Sequence, residues 1–182
     1  LLKKRQRRGK KKARNKAADQ KSLVDKPTAD SQTKLLDSYR LGDFLKAEEL
    51  SISLTQEFPG HPLGWKVLAA ILARKGSLSD AVNAGRRAAQ LLPNDAETHH
   101  NLGITLREIG ELSESESSCQ KAITLSPRYA EAHFSLGVVE KQLGKLGQAQ
   151  YSFKLAIKYK PDYPDAHNNL GVIFQDIGDL KQ

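Results

Sequence analysis

The chain contains no methionine and a single cysteine, Cys119, among its 182 residues. A lone cysteine excludes an internal disulfide and allows a reducing compartment, so a cytoplasmic chain is expected. The first residue is Leu1, not Met, so the native start is expected to be missing. No apolar run approaches the roughly 18 residues a membrane-spanning helix needs, and no signal-peptide pattern is present. There is no dinucleotide fingerprint, zinc ligand set or serine-nucleophile elbow. Gly144-Lys145 is not a phosphate loop, because Leu146 follows it and no Gly lies five residues before it. No catalytic residue, cofactor or metal is therefore expected in this segment. Aromatic residues are few, at 6%.

One sign of charge is missing from one end. Residues 1–16 carry ten Lys and Arg side chains and no acid. Those ten exceed the net charge of +8, which leaves the other 166 residues at −2. A basic tail thus precedes a near-neutral body with ordinary soluble composition, 38% hydrophobic and 27% charged. Residues 1–27 have too few large apolar side chains to offset the entropy of ordering and are expected to be disordered, with Pro27 closing the tail. Lys3–Lys16 could condense on nucleic acid by counterion release, sit on an anionic surface or serve as an import signal. A solubilising leader is the plainer alternative. Without aromatics for stacking, any nucleic-acid contact there would be indifferent to sequence.

What the rest of the chain has is a period. Pro59, Pro93, Pro127 and Pro161 are 34 apart, as are Gly42, Gly76, Gly110, Gly144 and Gly178. Leu68, Leu102, Leu136 and Leu170 keep the same step, and so do Ala69, Gly103, Gly137 and Gly171. Each unit reads as two helices. In residues 96–129, Leu102, Leu106 and Ile109 recur at helical spacing, and Gly110 supplies a left-handed helix end. A second helix runs from Leu112 to Leu125, with Cys119 on its apolar side, and Pro127 stops it. Asp95 is placed to cap the first helix and Glu97 to favour its positive end. Gly103 and Ala122 allow close approach of helix axes, and Ser115 is small like Ala81 and Ala149. Gly85 stands where other units have Cys119 and Phe153, so loose packing is expected there.

These columns resemble the tetratricopeptide repeat, whose signature runs Trp, Leu-Gly, Tyr, Ala, Phe, Pro at fixed offsets. Trp65, Leu68, Ala69, Ala81, Ala88 and Pro93 carry it in one unit, and His99, His133 and His167 replace the Trp later. The reading is a divergent unit at 28–61, full units at 62–95, 96–129 and 130–163, and a truncated one at 164–182. Gly178 would end that last first helix, and Val172, Ile173 and Phe174 would lack part of their cover. The chain is thus expected to be a fragment of something longer.

The resemblance implies an all-α solenoid, a right-handed superhelix whose first helices line a concave face that docks a protein or extended peptide. Position six of each unit, Thr33, Val67, Asn101, Ser135 and Asn169, would lie on that face. The repeats look most like those of protein O-linked N-acetylglucosamine transferases, where an asparagine ladder at this position holds the substrate peptide. Only two of the five rungs here are Asn. Solvent exposure alone is the alternative explanation. The expected groove residues are Lys66, His100, Asn101, Phe134, Ser135, Asn168 and Asn169. A chaperone-type carboxylate clamp matches at Lys66 and Asn101 but fails at Ala70, Glu131 and Ser135, where Glu131 would repel the ligand.

The spaced histidines cannot share a metal, because equivalent residues of stacked repeats lie a helix spacing apart. Cys119 is expected to be core rather than nucleophile. Beside the binding module stand two alternatives. One is a recognition arm for a glycosyltransferase, sulfotransferase or oxygenase domain beyond the C-terminus. The other is nucleic-acid or anionic-surface association through the tail.

Overall fold

The computed structural model describes residues 26–179. Most of the basic tail lies outside them. Among the described residues there are nine helices and no strand: α1 (Ala29–Arg40), α2 (Phe44–Glu57), α3 (Pro62–Arg74), α4 (Leu78–Leu91), α5 (Ala96–Glu108), α6 (Leu112–Leu125), α7 (Ala130–Gln142), α8 (Leu146–Tyr159) and α9 (Pro164–Asp179). None of them is long and apolar enough to cross a membrane. The chain divides into two units, the division falling between Gly64 and Trp65.

The periodic glycines explain the hairpins. Gly42, Gly76, Gly110 and Gly144 have φ of 80°, 79°, 82° and 74°, the left-handed region that a Cβ disfavours. At each, the glycine N–H and the following N–H bond back to carbonyls of the ending helix. At Gly110 these are Arg107 at 3.0 Å and, from Glu111, Leu106 at 2.9 Å. This paired pattern satisfies carbonyls that a helix end leaves without partners.

Gly178 behaves differently from its column. It lies inside α9, which continues to Asp179, rather than ending the helix as the spacing predicts. Glycine permits a left-handed turn without forcing one, and the other four turns are held by the hydrogen bond from the next residue.

In the first unit, Thr28 accepts from the Ser31 N–H and Asp43 from the Lys46 N–H, capping α1 and α2. Leu35, Ala47 and Leu54 are buried between these two helices. Pro27, read as the last tail residue, is instead buried, and its carbonyl accepts from Gln32 Nε2 at 3.0 Å. It belongs to the folded hairpin.

In the second unit, the two helices of a hairpin interlock through small residues. A Cβ on Gly103 would lie 2.7 Å from Cys119 Sγ, and one on Gly137 would lie 2.7 Å from Phe153 Cε1. Both contacts are too close for any side chain, so α5–α6 and α7–α8 each approach only because glycine is there. Cys119 and Phe153 are fully buried. Burial pushes the Cys119 thiol up to about 12, so it stays protonated and inert.

Other expectations are corrected by the packing. Gly85 leaves no loose space, because Leu102 Cδ1 leans to 3.2 Å of where its Cβ would be. Ser115 is more than small: its hydroxyl donates to the Gly103 carbonyl at 2.6 Å inside the core. Ile173 does not lack cover; it is fully buried against Ala149 and Phe153, while Val172 and Phe174 are 40% and 53% exposed. Val67 is buried rather than displayed on a surface.

Candidate functional site

A groove of about 280 Å³ opens between the first helices of two consecutive hairpins, α5 and α7, and reaches the loop before α9. Its apolar wall is Ile104 from α5, Phe134 and Val138 from α7, and Tyr163 from the loop. The Phe134 and Tyr163 rings are 4.9 Å apart at 37°, a tilted pair that braces the loop against α7. Lys160 Nζ stands 4.6 Å from the centre of the Tyr163 ring and bonds Glu131 at 3.0 Å. That hydrogen bond holds the Glu131 carboxyl below its ordinary range. Burial pushes the Tyr163 hydroxyl up to about 12.

The polar side of the groove is a hydrogen-bonded chain. His100 Nδ1 is hydrogen-bonded to the Tyr129 hydroxyl at 2.9 Å, and Nε2 to Ser135 Oγ at 2.9 Å. A neutral imidazole has one donor and one acceptor nitrogen, so both are used. His100 is only 6% exposed. Burial outweighs the nearby Glu131 charge and lowers its pKa, so the ring is neutral at neutral pH. This corrects the expectation that His100 lies on the exposed side of its helix. It is a brace between α5 and α7, with an edge turned to the groove.

Arg107 completes the lining. It is half-buried, and among the described residues no carboxylate pairs with it. The groove therefore offers an uncommitted guanidinium beside an apolar wall.

Of the seven expected groove residues, the structure brings together His100, Phe134 and Ser135. Lys66 points elsewhere, bonding Asp95 at 2.8 Å and Glu97 at 2.7 Å. Asp95 thereby gives up the capping role expected of it; its carboxylate makes no hydrogen bond to the α5 backbone. Desolvation raises the Asp95 pKa, but the bonds from Lys66 and Thr98 outweigh it and hold the carboxyl low. Asn101 and Asn168 are exposed outside the lining, and Asn169 Nδ2 donates to its own helix at the Asp165 carbonyl, 2.8 Å away.

Sequence reasoning missed Arg107, Ile104, Val138 and Tyr163. Three of these carried a signal: 100, 104 and 107 form one helical stripe, as do 131, 134, 135 and 138.

The histidine column has a shared structural task. His99, His133 and His167 donate from Nε2 to the carbonyls of Pro93, Pro127 and Pro161, at 3.2, 3.0 and 2.9 Å. Each ties a first helix to the loop before it. Among the described residues no cluster of three metal-capable side chains exists.

Family models match this organisation directly. Tetratricopeptide repeat models match residues 34–96 and 96–129, and a TPR repeat model matches 139–178. The chain is built of tetratricopeptide repeats. No curated protein sequence matches it. Solved structures with the same fold include residues 41 to the end of MamA from Desulfovibrio magneticus RS-1. That match has 18% identity, 83% of this chain and 85% of that one covered, and a TM-score of 0.75. YrrB, described as a TPR protein with an unusual peptide-binding site, has 16% identity, 90% and 83% coverage and a TM-score of 0.75. The first TPR of Spaghetti (RPAP3), bound to the HSP90 peptide SRMEEVD, has 20% identity, 64% and 93% coverage and a TM-score of 0.63. At these identities the likeness establishes the fold of the TPR chain and nothing finer.

Proposed function

We propose that this TPR segment is a non-catalytic scaffold module that binds an extended peptide or protein segment in the groove between α5 and α7. The observation that carries this reading is the pairing of an apolar wall, Ile104, Phe134, Val138 and Tyr163, with the unpaired Arg107. Pre-formed concave surfaces with few polar groups suit ligand binding, because little ordering entropy remains to be lost. Phe134 serves as the apolar anchor. The half-buried chain of Tyr129, His100 and Ser135 holds α5 and α7 at the spacing the groove needs. YrrB and the RPAP3 repeat, by their descriptions, bind peptides on the same fold. The asparagine-ladder idea has narrower support, since Asn101 is exposed and Asn169 has spent its amide donor on Asp165.

A peptide-array screen of the full chain, repeated with Phe134→Ala and Arg107→Ala, tests the reading. Wild-type capture of extended peptides is expected. Arg107→Ala should weaken capture of those with an acidic residue about tenfold or more, the worth of one charged hydrogen bond. Capture that survives Phe134→Ala and Arg107→Ala unchanged places binding on another surface.

A further inference from the structure

A second opening lies on the side of the second helices. It is a cleft of about 530 Å³ between α6 and α8, with α7 forming its floor. On that floor is Glu140, only 5% exposed. The 34-residue step places Glu140 in one column with Leu72 and Leu106, and Leu106 is fully buried core. A carboxyl thus occupies a leucine position. Burying an ionisable group in apolar surroundings is costly unless it is hydrogen-bonded and its charge is matched.

Glu140 has half of that compensation. Ser152 Oγ donates to Oε2 at 2.7 Å. Nothing described donates to Oε1. Among the described residues every side-chain oxygen sealed from solvent has a partner, so Oε1 opens on the cleft that Glu140 lines. No cation faces it. The neighbouring Lys145 is engaged by both oxygens of Glu116, at 2.7 and 2.8 Å. The three groups together leave one negative charge unmatched. The cleft sets the apolar side chains of Ile123, Leu136 and Leu155 beside the polar Gln120, Thr124, His133 and Gln148, and is rimmed by Tyr151, which is 65% exposed.

We propose that this cleft is a second binding site, which takes the guanidinium or ammonium of a basic side chain presented by a partner polypeptide. The N–H of the cation donates to Glu140 Oε1. The aliphatic stem lies along Ile123, Leu136 and Leu155. The Tyr151 ring is free to turn its face to the cation. The site is separate from the α5–α7 groove and stands without it.

The test is a residue-resolved NMR titration of the full chain with Nα-acetyl-arginine amide. The control is Nα-acetyl-citrulline amide, which has the same shape and no charge. The arginine probe is expected to give saturable shifts at the Gly147, Gln148 and Ser152 amides, and the citrulline probe none. Glu140→Gln keeps the volume and a partner for Ser152, and circular dichroism establishes that it folds. It should weaken the arginine response at least about tenfold, the loss of a charge-assisted hydrogen bond. Tyr151→Ala, at an exposed position, should weaken it less, and Phe134→Ala should leave it unchanged. The proposal is overturned if the arginine probe leaves those amides unmoved, if citrulline matches it, or if folded Glu140→Gln responds as the wild type does.

Discussion

The α5–α6 and α7–α8 hairpins share one frame and fill it differently. In the first, Cys119 meets Gly103 and Leu106 completes the core. In the second, Phe153 meets Gly137, and the position of Leu106 is taken by Glu140. A bulkier plug therefore accompanies a polar intrusion. The repeat fixes where side chains go, and identity at each place decides whether the place packs or binds. The first hairpin is the better model of plain TPR packing, and the second buries a carboxyl within the same geometry.

The largest break in that comparison should come from Phe153→Ala. Its ring is fully buried and touches two neighbouring helices, so a loss of about 3–5 kcal/mol is expected by chemical denaturation. Cys119→Ala removes much less volume and should cost far less. Next come Gly137→Ala and Gly103→Ala, each overpacking its hairpin by about 1–3 kcal/mol. A double-mutant cycle sharpens this: Gly137→Ala should be partly relieved by Phe153→Leu and not by Cys119→Ala. If the two pairs couple equally across hairpins, the idea of separate plugs fails.

Smaller effects appear in pH. Burial holds the folded pKa of Glu140 above its ordinary value, although the Ser152 bond opposes this. Its contribution is present below about pH 4.5 and is lost as pH rises through the folded pKa. Glu140→Gln should therefore raise stability at pH 7, by about 1 kcal/mol, read as a higher melting temperature. His100 has the opposite sign. Its folded pKa is depressed, so its contribution is present above about pH 6.5 and falls away as pH drops toward the folded value. His100→Phe should flatten the stability profile below about pH 6.5, the smallest of these changes. A profile that keeps its slope in this variant would place the titrating group elsewhere.

The fold was legible because its determinants are single residues with one physical use. A glycine at a left-handed turn and a proline at a helix end mark the same place in each of the first four units. The tail, Lys3–Lys16, was legible as charge alone and lies outside the described residues. The site was half legible. Phe134 and Ser135 follow from their place on a first helix, and Arg107 could have been found from its stripe with His100 and Ile104. The burial of His100 could not, because it depends on Tyr129 and Ser135, which are 29 and 35 residues away. Glu140 passes for one more surface acid on helical spacing alone, and only the 34-residue step, which sets it in line with Leu72 and Leu106, marks it as a core position.

The glycine turns have a consequence for how the chain reaches this structure. Each hairpin closes through hydrogen bonds between residues three to five apart in sequence. Chains dominated by such local closures lose little entropy before their contacts form, and they fold quickly for their size. Nothing obliges every hairpin to form at once; each can nucleate alone and recruit its neighbour. Within the second unit, the junction carrying the buried carboxyl then becomes the natural place for the array to part. Hydrogen exchange there would report the opening of one joint rather than the melting of a whole domain.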